Sequence, residues 1–399
     1  MMTDTLHHTL QDHAPSHLPA TVRALADEVS ARAGEAERAG TMPVDLVDRF
    51  RQAGLFRALQ PRALGGFELE PRAFVELIEE LSRADGSAGW TATIGAGGSA
   101  FAAWLEPAVA RETFGADADF TSATVFAPIG RLVPVDPRRY SVSGRWPFAS
   151  GCRHAEWFLM GGFVFDGDAP RLVPGRGPDW RLAWFPAGAG EIVEHWDVMG
   201  LRATGSNDVV AGSVPVPDEL TTSPFFEPAR HDGPLWRLPF FTLAGIALVG
   251  VPLGIARRAL DELAALAPTK VRAGTSEPIA HDAAALVGMA RAEARLRAAR
   301  ALVFDEIGSL WATAVNGDVP SITGQANIRL AALEVMHAAL LAVDTALELS
   351  GASAIRSDHV LQRCFRDAHT VEQHAYFGSA ALQRCSRVRL GMEESSVML

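Results

Sequence analysis

Between about residues 119 and 225 the chain drops the helical apolar period of its flanks and takes up short β-rich runs, and this switch limits the fold more than any single motif. On the N-terminal side, TVRALADEVSARAGEAE, VDLVDRFRQAGLFRAL and PRAFVELIEELSRA each gather apolar residues on one helical face. Pro71 takes a first-turn position there, and DGSAGW at 85–90 opens another apolar segment. In the middle, FTSATVF, YSVSGRWPF, EWFLMGGFVF, DWRLAWFP and DVVAGSVPV alternate with the turn-rich DPRR, DGDAPR and GRGPD. The helical period then returns over 241–266, 279–313, 323–350 and 359–377, with GTSEP and NGDVPS marking two of the joins. The expectation is an α+β chain of three units: a helical domain at 20–118, an antiparallel β domain at 119–225 and a four-helix bundle at 226–390. A ligand site belongs where such units meet.

Composition narrows the partners. With 48% apolar residues and 21% charged ones, the 399-residue chain can bury a large core. Its net charge of −11, without a sustained Lys/Arg tract, argues against nucleic acid and an anionic membrane. Cys152, Cys364 and Cys385 are too few to staple such a length and lack C-x-x-C spacing, which points to a reducing, cytoplasmic setting and no metal. Leu238–Ala256 runs 19 residues without a charge. Pro239, Pro252, its glycines and the polar continuation RRALDELAALAP suit a buried core helix better than a membrane span. The N-terminus has no apolar region of the secretory kind.

Three strings can carry chemistry. GRWPFASGCRHAEW (144–157) ends an aromatic strand on Ser150 and Gly151, a hydroxyl and a permissive backbone that let a ring cofactor approach, or simply a turn. His154 reads as a turn residue, and Thr121, Ser122 and Thr124 in FTSATVF offer hydroxyls of the kind strands use freely. WDVMGLRATGSNDVV (196–210) supplies glycine, hydroxyl and amide groups before an apolar strand. In the third, 351–384, continuing the helix through His374 would align Arg366, Thr370 and His374 at intervals of four, with His374 placed to accept a proton from a phenol or to give one to an oxygen. A mixed-charge helix with Arg363 and Asp367 paired across one turn is the plainer alternative. Trp90 and Trp104 read as packing anchors. Dinucleotide, Walker and G-x-S-x-G signatures are absent.

The order of these units, with GRWPFASG, GLRATGSND and LQRCFRDAHT in sequence, resembles the acyl-CoA dehydrogenase superfamily from about residue 20 to 389. Within it the chain is most similar to the reduced-flavin-dependent two-component monooxygenases. That superfamily's dehydrogenases commonly carry a glutamate base shortly after the arginine–aspartate pair, where this chain has VEQHAY, so His374 and Ala375 stand at the expected position. The resemblance implies reduced FMN or FAD delivered by a separate flavin reductase, oxygen, a small aromatic substrate, and a homodimer or homotetramer. It places Ser150 and Gly151 near the flavin ring and Ser122 nearby. Trp146 would line the flavin or substrate wall, and Gly351, Arg363 and Arg366 would lie in the cofactor and bundle region. His374 becomes the substrate-side base or orienter. The GS-type turn in DGSAGWTATIGAGG lacks the second histidine that relatives often place after it. Alternatives are an FAD-dependent acyl-CoA dehydrogenase and a non-catalytic flavin-binding protein.

Overall fold

The computed structural model describes residues 18–115 and 119–393. Among the described residues five helices come first: α1 (Leu18–Ala39), α2 (Val44–Gln52), α3 (Pro71–Ala84), α4 (Gly86–Ala100) and α5 (Pro107–Phe114). Pro71 opens α3 as a first-turn proline, and Asp85 caps α4 by accepting the Ala88 N–H at 3.0 Å. Helix α4 is almost wholly buried, and small residues let it lie close to its neighbours. A Cβ at Gly98 would stand 2.3 Å from Ser122 Oγ and 2.6 Å from Thr124 Oγ1, so glycine there is what lets α4 pack on the first strand.

The middle of the chain forms an eight-stranded sheet. Its main strands are β1 (Ser122–Asp136), β2 (Arg139–Trp146), β3 (Trp157–Asp166), β4 (Trp180–Pro186), β5 (Glu191–Val193), β6 (Asp208–Pro217) and β7 (Thr221–Thr222). They lie in the order β7-β4-β3-β1-β2-β6-β5. The sheet is mixed rather than purely antiparallel: β1 pairs with β3 in parallel, Ser122 beside Trp157 and Leu132 beside Val164. A parallel neighbour requires a crossover, and here β2 and the 147–156 connection supply it. The sheet has its own core of Trp146, Phe158, Phe185, Val142 and Val216, while a second, larger core joins both helical regions.

Six further helices follow: α6 (Phe240–Leu248), α7 (Gly250–Leu266), α8 (Ala283–Val315), α9 (Ile322–Ser350), α10 (Val360–Glu372) and α11 (Ala380–Arg389). The single helix expected at 241–266 is broken at Val249, because Pro252 has no N–H for the Leu248 carbonyl and its ring would crowd that group. The uncharged stretch is a core element, with 83% of its most apolar window inside the protein. The helix expected at 359–377 also stops early. It ends at Glu372, and His374 adopts extended backbone (φ −66°, ψ 135°) before a short turn at Ala375–Phe377. The alignment of Arg366, Thr370 and His374 on one helix is therefore corrected: His374 leaves the helix and points elsewhere.

Candidate active site

The first two strings fold against each other. Gly151, at φ 72°, donates its N–H to the Thr204 carbonyl at 2.9 Å, and Ala149 donates to the Asn207 carbonyl at 3.0 Å. Asn207 Oδ1 then accepts the backbone N–H groups of His195 (3.0 Å) and Trp196 (3.2 Å). The side chains continue the union. Ser150 Oγ lies 2.7 Å from Ser206 Oγ, which lies 2.6 Å from Thr204 Oγ1, which donates to the Leu201 carbonyl at 2.8 Å. That carbonyl also takes the Trp196 indole N–H at 3.2 Å.

Trp90 brings in the third string. From α4 its Nε1 donates to Ser150 Oγ at 3.0 Å, while its ring meets the His374 imidazole edge-on, centroids 5.4 Å apart. Sequence reading took Trp90 for a packing anchor; its six-membered face packs, but its one polar atom joins the strand-end hydroxyl to the histidine side. An indole N–H buried this deeply needs an acceptor, and that requirement is the signal that was available.

His374 is reached by solvent beside Trp90, with protein packed densely around it. Burial, reinforced by the Arg329 cation, pushes its pKa down to about 4, so the ring is neutral near pH 7. Its Nδ1 accepts the Tyr376 N–H at 3.3 Å, which assigns the proton to Nε2. His374 thus presents Nε2–H as a hydrogen-bond donor, and of the two expected roles, base or orienter, its engaged acceptor nitrogen favours the second.

The remaining expected residues divide. Ser122 is buried on β1 and its Oγ has no partner, nor has Thr124 Oγ1 beside it. Such orphaned hydroxyls are what a polar ligand edge would satisfy. Trp146 does not form a wall: it is fully buried in the sheet core, its Nε1 donating to Gly161 O at 2.7 Å. The exposed ring is Phe148, 69% accessible, held by a left-handed backbone (φ 64°) and edge-on to Trp196 at 6.1 Å. No periodicity announces a phenylalanine in that conformation. Gly351, at φ 68°, ends α9, and open space surrounds the position of its missing Cβ.

Arg363 and Arg366 are not free for a cofactor on this chain. Arg363 Nε lies 3.4 Å from Asp85 and its Nη1 3.9 Å from Glu37. Arg366 bonds Glu37 and the Met199 carbonyl, and reaches Gln362 at 2.7 Å. Asp367 does not pair with Arg363; it accepts the Leu201 N–H at 2.6 Å. Burial and the nearby Asp85 carboxylate push Asp367 up to about 7. These groups lock α10 to α1, α4 and the 199–201 connection. A separate cavity of about 910 Å³ lies between α1, α3 and α7, but its Arg83, Arg257 and Arg300 are paired with Asp261, Glu293 and Glu79. Among the described residues no cluster of three His, Cys, Asp or Glu could hold a metal.

Residues 16–122 match the family described as acyl-CoA dehydrogenase, N-terminal domain, and residues 246–379 match its C-terminal domain. An indole-3-acetate monooxygenase of Pseudomonas putida is 35% identical over 368 residues, covering 91% of each chain. The chain belongs to the acyl-CoA dehydrogenase superfamily. Other members resemble it too. The oxygenase subunit HsaA of a flavin-dependent monooxygenase from Rhodococcus jostii is 30% identical, over 88% of this chain and 92% of its own. The crystal structure of a 3-HSA hydroxylase from Rhodococcus sp. RHA1 superposes with a TM-score of 0.88 at 26% identity, over 97% of this chain and all of that one. In this acyl-CoA dehydrogenase-like frame, the constellation sits where the N-terminal helices, the sheet and the C-terminal helices meet.

Proposed function

We propose that the chain is the oxygenase component of a two-component flavin-dependent monooxygenase, taking reduced FMN or FAD from a separate reductase and hydroxylating a small aromatic or heterocyclic substrate. The observation that carries this reading is the junction of Ser150, Trp90 and His374. Similarity to an indole-3-acetate monooxygenase and to a flavin-dependent oxygenase subunit supports it.

The residues fit a flavin ring. Ser150 and Gly151 would meet its edge, Phe148 would offer an aromatic surface, and the orphaned Ser122 and Thr124 hydroxyls would receive polar atoms. When bound, reduced flavin supplies the two electrons with which oxygen is divided between the hydroxylated product and water. The protein's own work is orientation and exclusion. His374 Nε2–H holds a substrate oxygen by hydrogen bond, Tyr376 N–H keeps the imidazole in that tautomer, and the buried faces of Trp90 and α4 keep water from the ring. The dehydrogenase alternative needs a carboxylate base at this wall. Glu372, the nearest in sequence, sits at the end of α10 with its carboxylate 3.8 Å from His369, and the charge that acts on His374 is a cation.

The partner and setting complete the proposal. Helix α9 belongs to an apolar segment whose most apolar window is only 56% buried, and α8 exposes Leu286, Val287 and Leu302, surfaces suited to a homodimer or homotetramer in the cytoplasm. The decisive assay supplies reduced FMN or FAD from a reductase under ¹⁸O₂ with phenols, indoles and arylacetates. Labelled hydroxylated product is expected. Its absence, together with bleaching of bound oxidised FAD by an acyl-CoA, would establish the dehydrogenase instead.

A further inference from the structure

We propose that the chain of hydroxyls behind Ser150 makes the flavin site selective for the reduced ring, by holding Ser150 as a hydrogen-bond acceptor toward the ligand. The inference rests on Ser150 being the flavin-facing residue. It concerns Ser206 and Thr204, which need not touch the ligand at all.

Counting protons fixes the direction of the chain. At one end the Trp90 indole can only donate; at the other the Leu201 carbonyl can only accept. Between them stand three hydroxyls, each with one proton, and four contacts at 3.0, 2.7, 2.6 and 2.8 Å. Four protons serve four contacts in one way only: Trp90 to Ser150, Ser150 to Ser206, Ser206 to Thr204, and Thr204 to Leu201. Reversing one inner hydroxyl alone leaves one contact with two protons and another with none, and turning the whole chain so that Ser150 points its proton outward leaves the Thr204–Leu201 contact without one. Either fault costs one hydrogen bond between buried groups, since Ser150, Ser206 and Thr204 are 6%, 4% and 2% exposed, while the Leu201 carbonyl keeps the Trp196 indole N–H and the Thr204 N–H.

Ser150 is therefore left with one unused valence, a lone pair. An oxidised isoalloxazine ring presents a bare acceptor at its central-ring N5, whereas the reduced ring carries N–H there. Acceptor facing acceptor repels; acceptor facing N–H bonds. A protein that receives reduced flavin by diffusion, in air where oxidised flavin accumulates, gains from refusing the oxidised form. Thr204 and Ser206 are in this sense positioning residues that act through Ser150.

The test compares the dissociation constants of reduced and oxidised FMN and FAD for the full-length protein by anaerobic equilibrium dialysis. Thr204→Val removes the last acceptor hydroxyl. Ser206 then turns its proton back to Ser150, whose own proton turns outward, so the preference for reduced flavin should fall about ten-fold. Thr204→Ser should restore it. Trp90→Phe removes the donor at the other end but not the Leu201 carbonyl that sets the direction, so it should shift affinity for both forms together and change their ratio far less than Thr204→Val does. An unchanged preference in folded Thr204→Val, or equal collapse in Trp90→Phe, overturns the proposal. Should Thr204→Val fail to fold, Ser206→Ala asks the same question. If the wild type binds neither form, the flavin-site reading itself fails, and this inference with it.

Discussion

Helix α4 carries two buried polar networks within one and a half turns, and they behave as opposites. At its start Asp85 joins Glu37, Arg363, Arg366 and Asp367, a cluster whose arginines are both engaged by protein acceptors. Five residues later Trp90 enters the neutral chain of Ser150, Ser206 and Thr204, which ends with one lone pair unused. The ionic network closes on itself and holds elements together. The neutral one stops short by one bond, and that open valence is what a ligand can use. A buried charge left unpaired is far more costly than a hydroxyl lone pair left unused, so open valences accumulate on hydroxyls while arginines close upon carboxylates.

The largest effect should come from breaking the closed network. Arg363→Met leaves Asp85 and Glu37 without their shared cation, and urea denaturation should show a loss of about 3–5 kcal/mol. Flavin affinity of the folded fraction should hold; a matching loss of affinity would mean that the arginine reaches the cofactor after all. Next in size is the open side. His374→Ala should lower hydroxylation about 100-fold at constant flavin affinity, as expected when an oriented donor is removed, and His374→Gln should recover part of it. Because the folded pKa is depressed to about 4, kcat/KM should show no histidine inflection between pH 6 and 7 and should fall only on approach to pH 4. An inflection near 6.5 would restore the base role.

A smaller, pH-dependent difference separates the networks as well. Asp367 is pushed up from 3.8 to about 7 by burial and by Asp85, so its proton is bound in the folded protein and lost in the unfolded chain across that interval. Its contribution to stability is full below about pH 4 and is lost as pH rises through about 7. Asp367→Asn keeps an oxygen for the Leu201 N–H and carries no charge. Unfolding of the two proteins from pH 5 to 8 should show the variant gaining on the wild type as pH rises. Parallel curves would mean that Asp367 is ionised throughout.

Much of this was legible in the sequence, for identifiable reasons. The three-part order follows from apolar periodicity, which local chemistry writes directly into the chain. Ser150 and Gly151 were legible as the end of an aromatic strand, which a turn explains equally, and only the resemblance offered them to a flavin. Trp146 was offered as the wall residue and Phe148 was passed over because alternation names the face a residue takes in a regular strand, and the chain leaves β2 at Trp146 and puts Phe148 at a positive φ. His374 was read onto a helix because nothing in TVEQHAYF marks the stop at Glu372. The turn that follows seats Tyr376 so closely on Gly245 that a Cβ there would stand only 1.9 Å from its Cζ, a contact that local sequence does not show. The arginines' ion pairs were not legible, because sequence shows a charge but not the carboxylate, 278 or 329 residues away, that neutralises it.

Gly351 gives the smallest effect and the cleanest control. Resemblance groups it with the cofactor residues, whereas its backbone at φ 68° and the empty space about it describe a helix end. Gly351→Ala forces an L-residue into a backbone region, φ 68° and ψ −164°, that essentially only glycine adopts, without any clash of its Cβ, so the cost should be about 1 kcal/mol of stability or somewhat more. Gly351→Asn should recover little of that, because asparagine tolerates the left-handed helical conformation but not ψ −164°. If both variants keep wild-type flavin affinity in the isolated chain and in its oligomer, the glycine belongs with the closed, structural side of the comparison. If affinity falls in the oligomer alone, the end of α9 serves the site of a second copy, and the boundary between the two networks must be redrawn across the subunit interface.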